Sequence, residues 1–258
     1  MNKPYYVIDF NAVNSLIDIR INDVSVLCLN IDGQISTIIP VNNAILESGK
    51  QLVSYNLLPL VGENALRDTV NFSASVCLYD AGGDLIEKKE EMTKFTMPEN
   101  KTGIPLPKYE GEIFFYADVP YKLDAWQNSR DLSKVDNLRT LVDSTYKRIE
   151  EIINNAQYDQ FANMIRKRED NIATCMYLSD KEKNERITEL IEMMETGFKI
   201  VPVSEKDIMI IYGHDKLVSL KKPDGRSSLL LKNKDTGDEL NLEIQFHLQQ
   251  GNNELAVI

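Results

Sequence analysis

Histidine is nearly missing from this chain: 258 residues hold two, His214 and His247. A histidine-centred triad or metal site therefore has few possible members. Cysteine is scarce as well. Cys28, Cys77 and Cys175 are odd in number and share no short spacing, so neither a disulfide framework nor a zinc knuckle is indicated, and they read as reduced, mostly buried thiols. No apolar run approaches the roughly 18 residues that span a bilayer, and the stretch from Met1 to Tyr6 lacks the apolar core of a signal peptide. The expected compartment is the cytoplasm. There is no Walker loop, dinucleotide-binding glycine fingerprint, Gly-x-Ser-x-Gly elbow or His-Glu-x-x-His pair. Positive charge is also in deficit, with 29 Lys and Arg against 40 Asp and Glu and a net charge of −11. Such a surface repels phosphate backbones and anionic lipid, which argues against nucleic-acid and membrane partners. The imbalance is uneven: residues 1–128 carry 17 acidic against 10 basic side chains, residues 199–258 carry 9 against 8.

What is present begins with strands. Ile17-Asp18-Ile19-Arg20-Ile21 alternates, Asn22-Asp23 signals a turn, and Val24-Ser25-Val26-Leu27-Cys28-Leu29 resumes the strand, which predicts a hairpin. A second turn is expected at Asp32-Gly33. Val70, Phe72, Ala74, Val76 and Leu78 share one face of a further strand, and the glycines of Asp80-Ala81-Gly82-Gly83-Asp84 suit a β-turn better than a calcium loop, since no acidic residue completes a twelve-residue site. The turn returns the chain into Leu85-Ile86-Glu87. Between the hairpins, the segment from Pro40 to Pro59 resembles the Gly-Lys turn and long core strand of carbohydrate-binding-like β-sandwiches. Either Leu52, Ser54, Asn56 and Leu58 or Val53, Tyr55 and Leu57 face its core. Tyr5, Tyr6, Tyr109, Tyr116 and Tyr121 are available as a sugar platform, but tyrosines in strands more often pack half-buried. The unbroken charges Lys88-Lys89-Glu90-Glu91 suit a strand edge protected against aggregation, or a docking face for a basic partner in which Glu87, Glu90 and Glu91 take part. Pro98 to Lys108 reads as a loop, and Glu112-Ile113-Phe114-Phe115-Tyr116-Ala117 is the last strand of this half. Together these predict an all-β antiparallel sandwich, jelly-roll or immunoglobulin-like, over residues 1–128.

After the single tryptophan the periodicity becomes helical. Leu138, Leu141, Val142, Thr145, Ile149, Ile152 and Ile153 define an amphipathic helix that Asp136 can cap and Asn154-Asn155 ends. Tyr158, Phe161, Ala162 and Ile165 begin a second, running into the charged stretch from Arg166 to Asp170. Ser179 and Glu182 form a capping box for a third, which presents Ile187, Leu190, Ile191 and Met194 and stops at Gly197. Strands follow at 207–212, 217–220, 229–231 and 240–248, separated by turns at Gly213-His214-Asp215, Pro223-Asp224-Gly225 and Asp235-Thr236-Gly237-Asp238. The expectation for residues 129–258 is an α+β domain, three helices packed on one curved antiparallel sheet. This order resembles the cone-shaped nuclear transport factor two-like fold. His214 reads as a solvated turn residue, and His247 falls on the polar face with Glu243, Gln245 and Gln249. No catalytic residue, cofactor or metal is assigned.

The junction carries the remaining hint. Val119-Pro120-Tyr121-Lys122-Leu123-x-x-Trp126-x-x-x-x-Asp131-Leu132, preceded by the Pro40-to-Pro59 segment and followed by Tyr146 and the helices, resembles uncharacterised bacterial proteins encoded beside secreted toxin genes, the immunity-like class of type VI secretion and Rhs-type systems. That resemblance implies a non-enzymatic cytoplasmic protein that binds a cognate toxin and blocks it, through an extended charged interface. Two rivals belong to other classes: a small-molecule-binding protein or hydrolase using the C-terminal cone as its pocket, and an adaptor whose sandwich binds glycan or peptide. Tyr121, Trp126 and Leu132 are read as structural junction residues. The oligomeric state is left open.

Overall fold

The computed structural model describes residues 3–83 and 86–258, and the chain divides into two compact units, Met1–Leu123 and Asp124–Ile258. Strands hold 39% of the residues and helices 22%, so the chain is mostly β. No helix among the described residues is long and apolar enough to cross a membrane.

The first unit is not a two-sheet sandwich. It is one six-stranded antiparallel sheet curled into a half-barrel. The strands are β1 (Pro4–Ile21), β2 (Val24–Pro40), β3 (Gly49–Leu58), β4 (Asn71–Asp80), β5 (Glu87–Thr96) and β6 (Tyr109–Ala117). β1 organises the rest. β2 pairs with it from residue 7 to residue 21, β4 with residues 4–13 and β3 with residues 16–21. β5 and β6 close the two ends of the order β5-β4-β1-β3-β6.

A β-bulge reconciles these two halves. Along β1 the continuous buried row is Tyr6, Ile8, Phe10 and Ala12, then Ser15, Ile17, Ile19 and Ile21, with Val7 and Asp18 buried on the other face, so the parity of the row switches at Asn14. Asn14 takes a positive φ of 51°, and Val13 pairs with Gln34 while Ser15 pairs with Ile31, leaving Asp32 and Gly33 opposite it. The extra residue turns the second half of the strand by one position, which keeps both halves apolar toward the core. Gly33, at φ 116°, donates its N–H to Asn14 Oδ1 at 2.8 Å. The expected turn at Asp32-Gly33 is therefore a bulge inside β2. By contrast, Asn22 and Asp23 do form the hairpin turn, with φ of 50° and 63°, the left-handed pair that two-residue hairpins require.

The curl wraps an aromatic core. Tyr55 stacks on Phe72 and Phe95 at centroid distances of 5.2 and 4.4 Å, and Phe95 lies 6.2 Å from Tyr109, where β5 approaches β6. Val53, Tyr55 and Leu57 are the buried face of β3, with Leu52, Ser54 and Asn56 half-covered outside. Tyr55 lies across Gly111, its partner in the ladder, where an added Cβ would stand 2.5 Å from the ring's Cζ. Glycine is required there because the ring occupies the space of a side chain.

The second unit contains α1 (Leu138–Asn154), α2 (Tyr158–Cys175) and α3 (Asp180–Glu195), but the single curved sheet is absent. Instead, β7 (Phe198–Val201), β10 (Leu230–Asn233) and β11 (Glu239–Asn241) form one sheet, and β8 (Ile208–Tyr212), β9 (Leu217–Lys221), β12 (Phe246–His247) and β13 (Ala256–Val257) form another. The expected strand 240–248 breaks at residues 242–245: Leu242 still donates to Leu229 O in the register of the β10–β11 ladder, but its carbonyl accepts from Ser227 Oγ instead of from a strand. No cone results. Leu138, Val142, Tyr146 and Ile149 of α1 pack with Phe161 of α2, Val218 and Leu220 of β9, and Phe246, so the interior is filled by side chains.

Local details depart from expectation at two helices. α1 is preceded by Asn137 in a left-handed conformation without a side-chain cap, so Asp136 does not cap it. α2 runs straight through the charges at 166–170. Glu169 is 3% exposed there and its carboxylate is held by Arg168 and, at 3.0 Å, by Arg186 of α3. The capping box of Ser179 and Glu182 is formed.

Candidate functional site

The carboxylates singled out on β5 do not form one surface. Glu87, Glu90 and Glu91 are all exposed on an edge strand, but β5 carries register shifts between Val76 and Cys77 and between Leu78 and Tyr79 of its partner. Glu91 faces Cys77 while Glu90 faces Leu78, on opposite sides of the sheet; Glu87, opposite Asp80, lies on the Glu90 side and is paired with Lys89 at 3.1 Å. Two bulges and two central lysines are the features by which edge strands resist pairing. Of the turn at 80–84, Gly82 donates to Asp80 Oδ1 at 2.8 Å; Asp84 and Leu85 lie outside the described residues.

The opposite edge is built differently. β6 pairs with β3 in unbroken register from Tyr109 to Ala117. Its inward row Phe115 and Ala117 is buried, while Glu110, Glu112, Phe114 and Tyr116 stand in solvent on the other face, followed by exposed Asp118. Phe114 is 46% and Tyr116 69% exposed, the largest aromatic exposures in the described residues. The rows continue across the sheet. Tyr116 lies opposite Lys50, Phe114 opposite Leu52, and Glu112 opposite Ser54, which is itself opposite Arg20. Lys50 places its ammonium 3.8 Å from the Phe114 ring centroid, so the ring already receives one cation.

Neighbouring charges are mostly spent on one another. Arg20 binds Asp18 at 2.7 Å and Asp23 at 2.8 Å; burial pulls its pKa down, and these two carboxylates more than offset that. Glu110 is paired with Lys108 on the strand's approach. Glu112 makes no ion pair among the described residues. The face thus combines two exposed rings with the carboxylates of Glu110 and Glu112.

The remaining candidates are structural. Trp126 is 8% exposed and belongs to the second unit, where its Nε1 lies 3.3 Å from the position of a Cβ on Gly213. Leu132 is buried in the same unit and donates its N–H to Asp215 O at 2.7 Å, whereas Tyr121, in the first unit, donates its hydroxyl to Asn42 O at 3.2 Å. His214 is exposed in its turn, at φ 55°. His247 is not on a polar face. It is 3% exposed, its Nδ1 lies 2.7 Å from Ser129 Oγ, and Nε2 has no hydrogen-bond partner among the described residues. Burial holds its pKa below the ordinary value. The charges of Asp124 and Lys167 act on the ring with opposite sign, and no cluster of three metal-ligating side chains occurs among the described residues. A cleft of about 560 Å³ in the first unit is lined by Arg67, Asp68, Asn71, Glu99 and Asn100, but Arg67 is fully engaged by Glu63 and Asp32.

Sequence reasoning identified β6 as a strand and missed its face. The signal was present in the run Phe114-Phe115-Tyr116: alternation buries only the middle ring, so the outer two must be exposed wherever the sheet has no second layer over them.

No family model, no curated protein and no solved structure matches this chain. Its function has to be argued from its own residues.

Proposed function

We propose that this chain is a non-enzymatic binding protein of the immunity class, which occupies and blocks a cognate bacterial toxin. The observation that carries the reading is the outward row Glu110, Glu112, Phe114 and Tyr116 on β6, exposed aromatic area set among carboxylates in a chain of net charge −11. A basic toxin surface would be steered toward it by the chain's field, and the two rings would supply the dehydrated centre of the contact. The resemblance of the segment from Val119 to Leu132 to toxin-associated proteins supports the same class. An inhibitor acting by occupancy needs rigid placement of a face, and the unbroken β3–β6 ladder provides it.

The test is co-expression with the product of the toxin gene adjacent to its own. The chain should restore growth and co-purify in a fixed ratio, while Glu110→Lys/Glu112→Lys/Tyr116→Ala should lose both without losing its circular dichroism spectrum. Absence of protection and of a complex with the wild-type chain would refute the reading.

A further inference from the structure

A third strand edge differs from both described so far. β2 pairs with β1 on one side and has no strand on the other among the described residues. From Gly33 to Leu46 the sequence carries no charged residue, an unusual interval in a chain with 69 charged side chains. Within it, Gln34-Ile35-Ser36-Thr37-Ile38-Ile39 is rich in β-branched residues, lies after the bulge at Asp32-Gly33 and runs in regular register along β1. Unlike β5, the stretch 34–39 has no lysine, no bulge and no proline, the second register shift of β2 lying far off at Val26. Its backbone groups on the open side are a template for another strand.

The side chains point to the same conclusion. Ile39, Thr37 and Ile35 lie opposite Ile8, Phe10 and Ala12, the buried row of β1. The apolar face of the sheet thus continues outward onto β2 and ends there, with Ile35 and Ile39 half-covered and Thr37 exposed. On the reverse face Ile38 is 52% exposed. A neighbouring strand would continue both rows.

We infer that the 34–40 edge of β2 is a self-association surface, on which a second copy of this chain adds its own β2 antiparallel about a two-fold axis near Thr37. In that register Ile35 of one copy lies opposite Ile39 of the other, and Thr37 opposite Thr37, a favourable cross-strand pair. Charge decides for a second copy over a foreign partner. Two chains of this acidity repel each other through every charged face, and the neutral strip is where that repulsion is least. A basic partner would find nothing to pair with there. This surface is separate from the Glu110–Tyr116 row, so it stands whether or not the toxin reading does.

The experiment is sedimentation velocity on the full chain from nanomolar to high-micromolar concentration, with hydrogen exchange read in parallel. The expected result is a concentration-dependent species of twice the 29.4 kDa chain mass. Added salt should strengthen it by screening like charge. Ser36→Lys/Ile38→Lys places like charges across the two-fold axis on exposed positions and should weaken association at least about tenfold, with the circular dichroism spectrum retained. Phe114→Lys, on the β6 face, should leave it unchanged. Amides of residues 34–39 should gain protection with concentration. A species that stays at the mass of one chain throughout would overturn the inference, as would a dimer that Phe114→Lys dissolves and Ser36→Lys/Ile38→Lys does not.

Discussion

Replacing Tyr146 with phenylalanine removes one oxygen atom, and the structure states what that oxygen does. Tyr146 lies on α1, is fully buried, and packs edge-on against Phe246 at a centroid distance of 5.2 Å. Its hydroxyl accepts the N–H of Leu220 at 2.9 Å. Leu220 belongs to β9, which β12 pairs only at Val218, so beyond that point its polar groups find partners outside the ladder. Its carbonyl accepts the Ser228 N–H at 3.1 Å and remains satisfied in the variant. The N–H does not. Burial also raises the hydroxyl's pKa, so it stays protonated at neutral pH. Tyr146→Phe keeps the ring and its packing and strands one buried donor, which costs about 1–3 kcal/mol. Urea melts followed by the fluorescence of Trp126, the only tryptophan and a member of the same unit, measure this directly. The midpoint should fall at unchanged slope. Tyr116→Phe, on an exposed ring of the first unit, should leave it in place. A loss below about 0.5 kcal/mol for Tyr146→Phe would refute the reasoning that this hydrogen bond substitutes for a missing strand.

Three other perturbations follow from the same geometry. Gly111→Ala forces the Tyr55 ring off the strand and out of its stack with Phe72 and Phe95, and should destabilise the first unit by about 1–3 kcal/mol, read by circular dichroism melts. Gly33→Ala places a Cβ at φ 116° in the β2 bulge; an added methyl meets nothing within 4 Å, so the loss, about 1–2 kcal/mol in circular dichroism melts, is backbone strain alone. His247 titrates with a depressed pKa when folded and near 6.5 when unfolded. The unfolded chain therefore binds the extra proton, stability is full above that value and declines as pH falls below it, and His247→Gln should flatten the decline in melts taken across the acid range.

Much of this fold is written in alternation and turn chemistry. The Asn22-Asp23 hairpin, the capping box at Ser179 and the apolar stripe of α1 follow from local rules, because turns, caps and helix faces are set by residues within a few positions of one another. The sandwich and the cone were not available by that route. Whether strands form one curled sheet or two stacked ones depends on which edges pair, and β1 serves two partners in succession because a single residue, Asn14, resets its parity. Likewise the alternation from Leu240 to Leu248 fits one strand, yet the Ser227 hydroxyl takes the Leu242 carbonyl and residues 242–245 lie outside the strands. His247 changes environment with them. The exposed face of β6 was partly legible, since adjacent aromatics in a strand cannot all face inward. In the acidic run on β5, ordinary alternation sets Glu90 and Glu91 on opposite faces while the register shift at Lys89 brings Glu87 and Glu90 onto one, a placement that local sequence does not fix.

The proposal that the Glu110–Tyr116 row binds a basic toxin is tested most directly by purifying the product of whichever toxin gene neighbours its own and titrating it into this chain by calorimetry at two salt concentrations. The account predicts a saturable complex whose affinity falls with salt and drops at least about tenfold in Glu110→Lys/Glu112→Lys/Tyr116→Ala. Binding that is indifferent to both the salt and the triple substitution would contradict it.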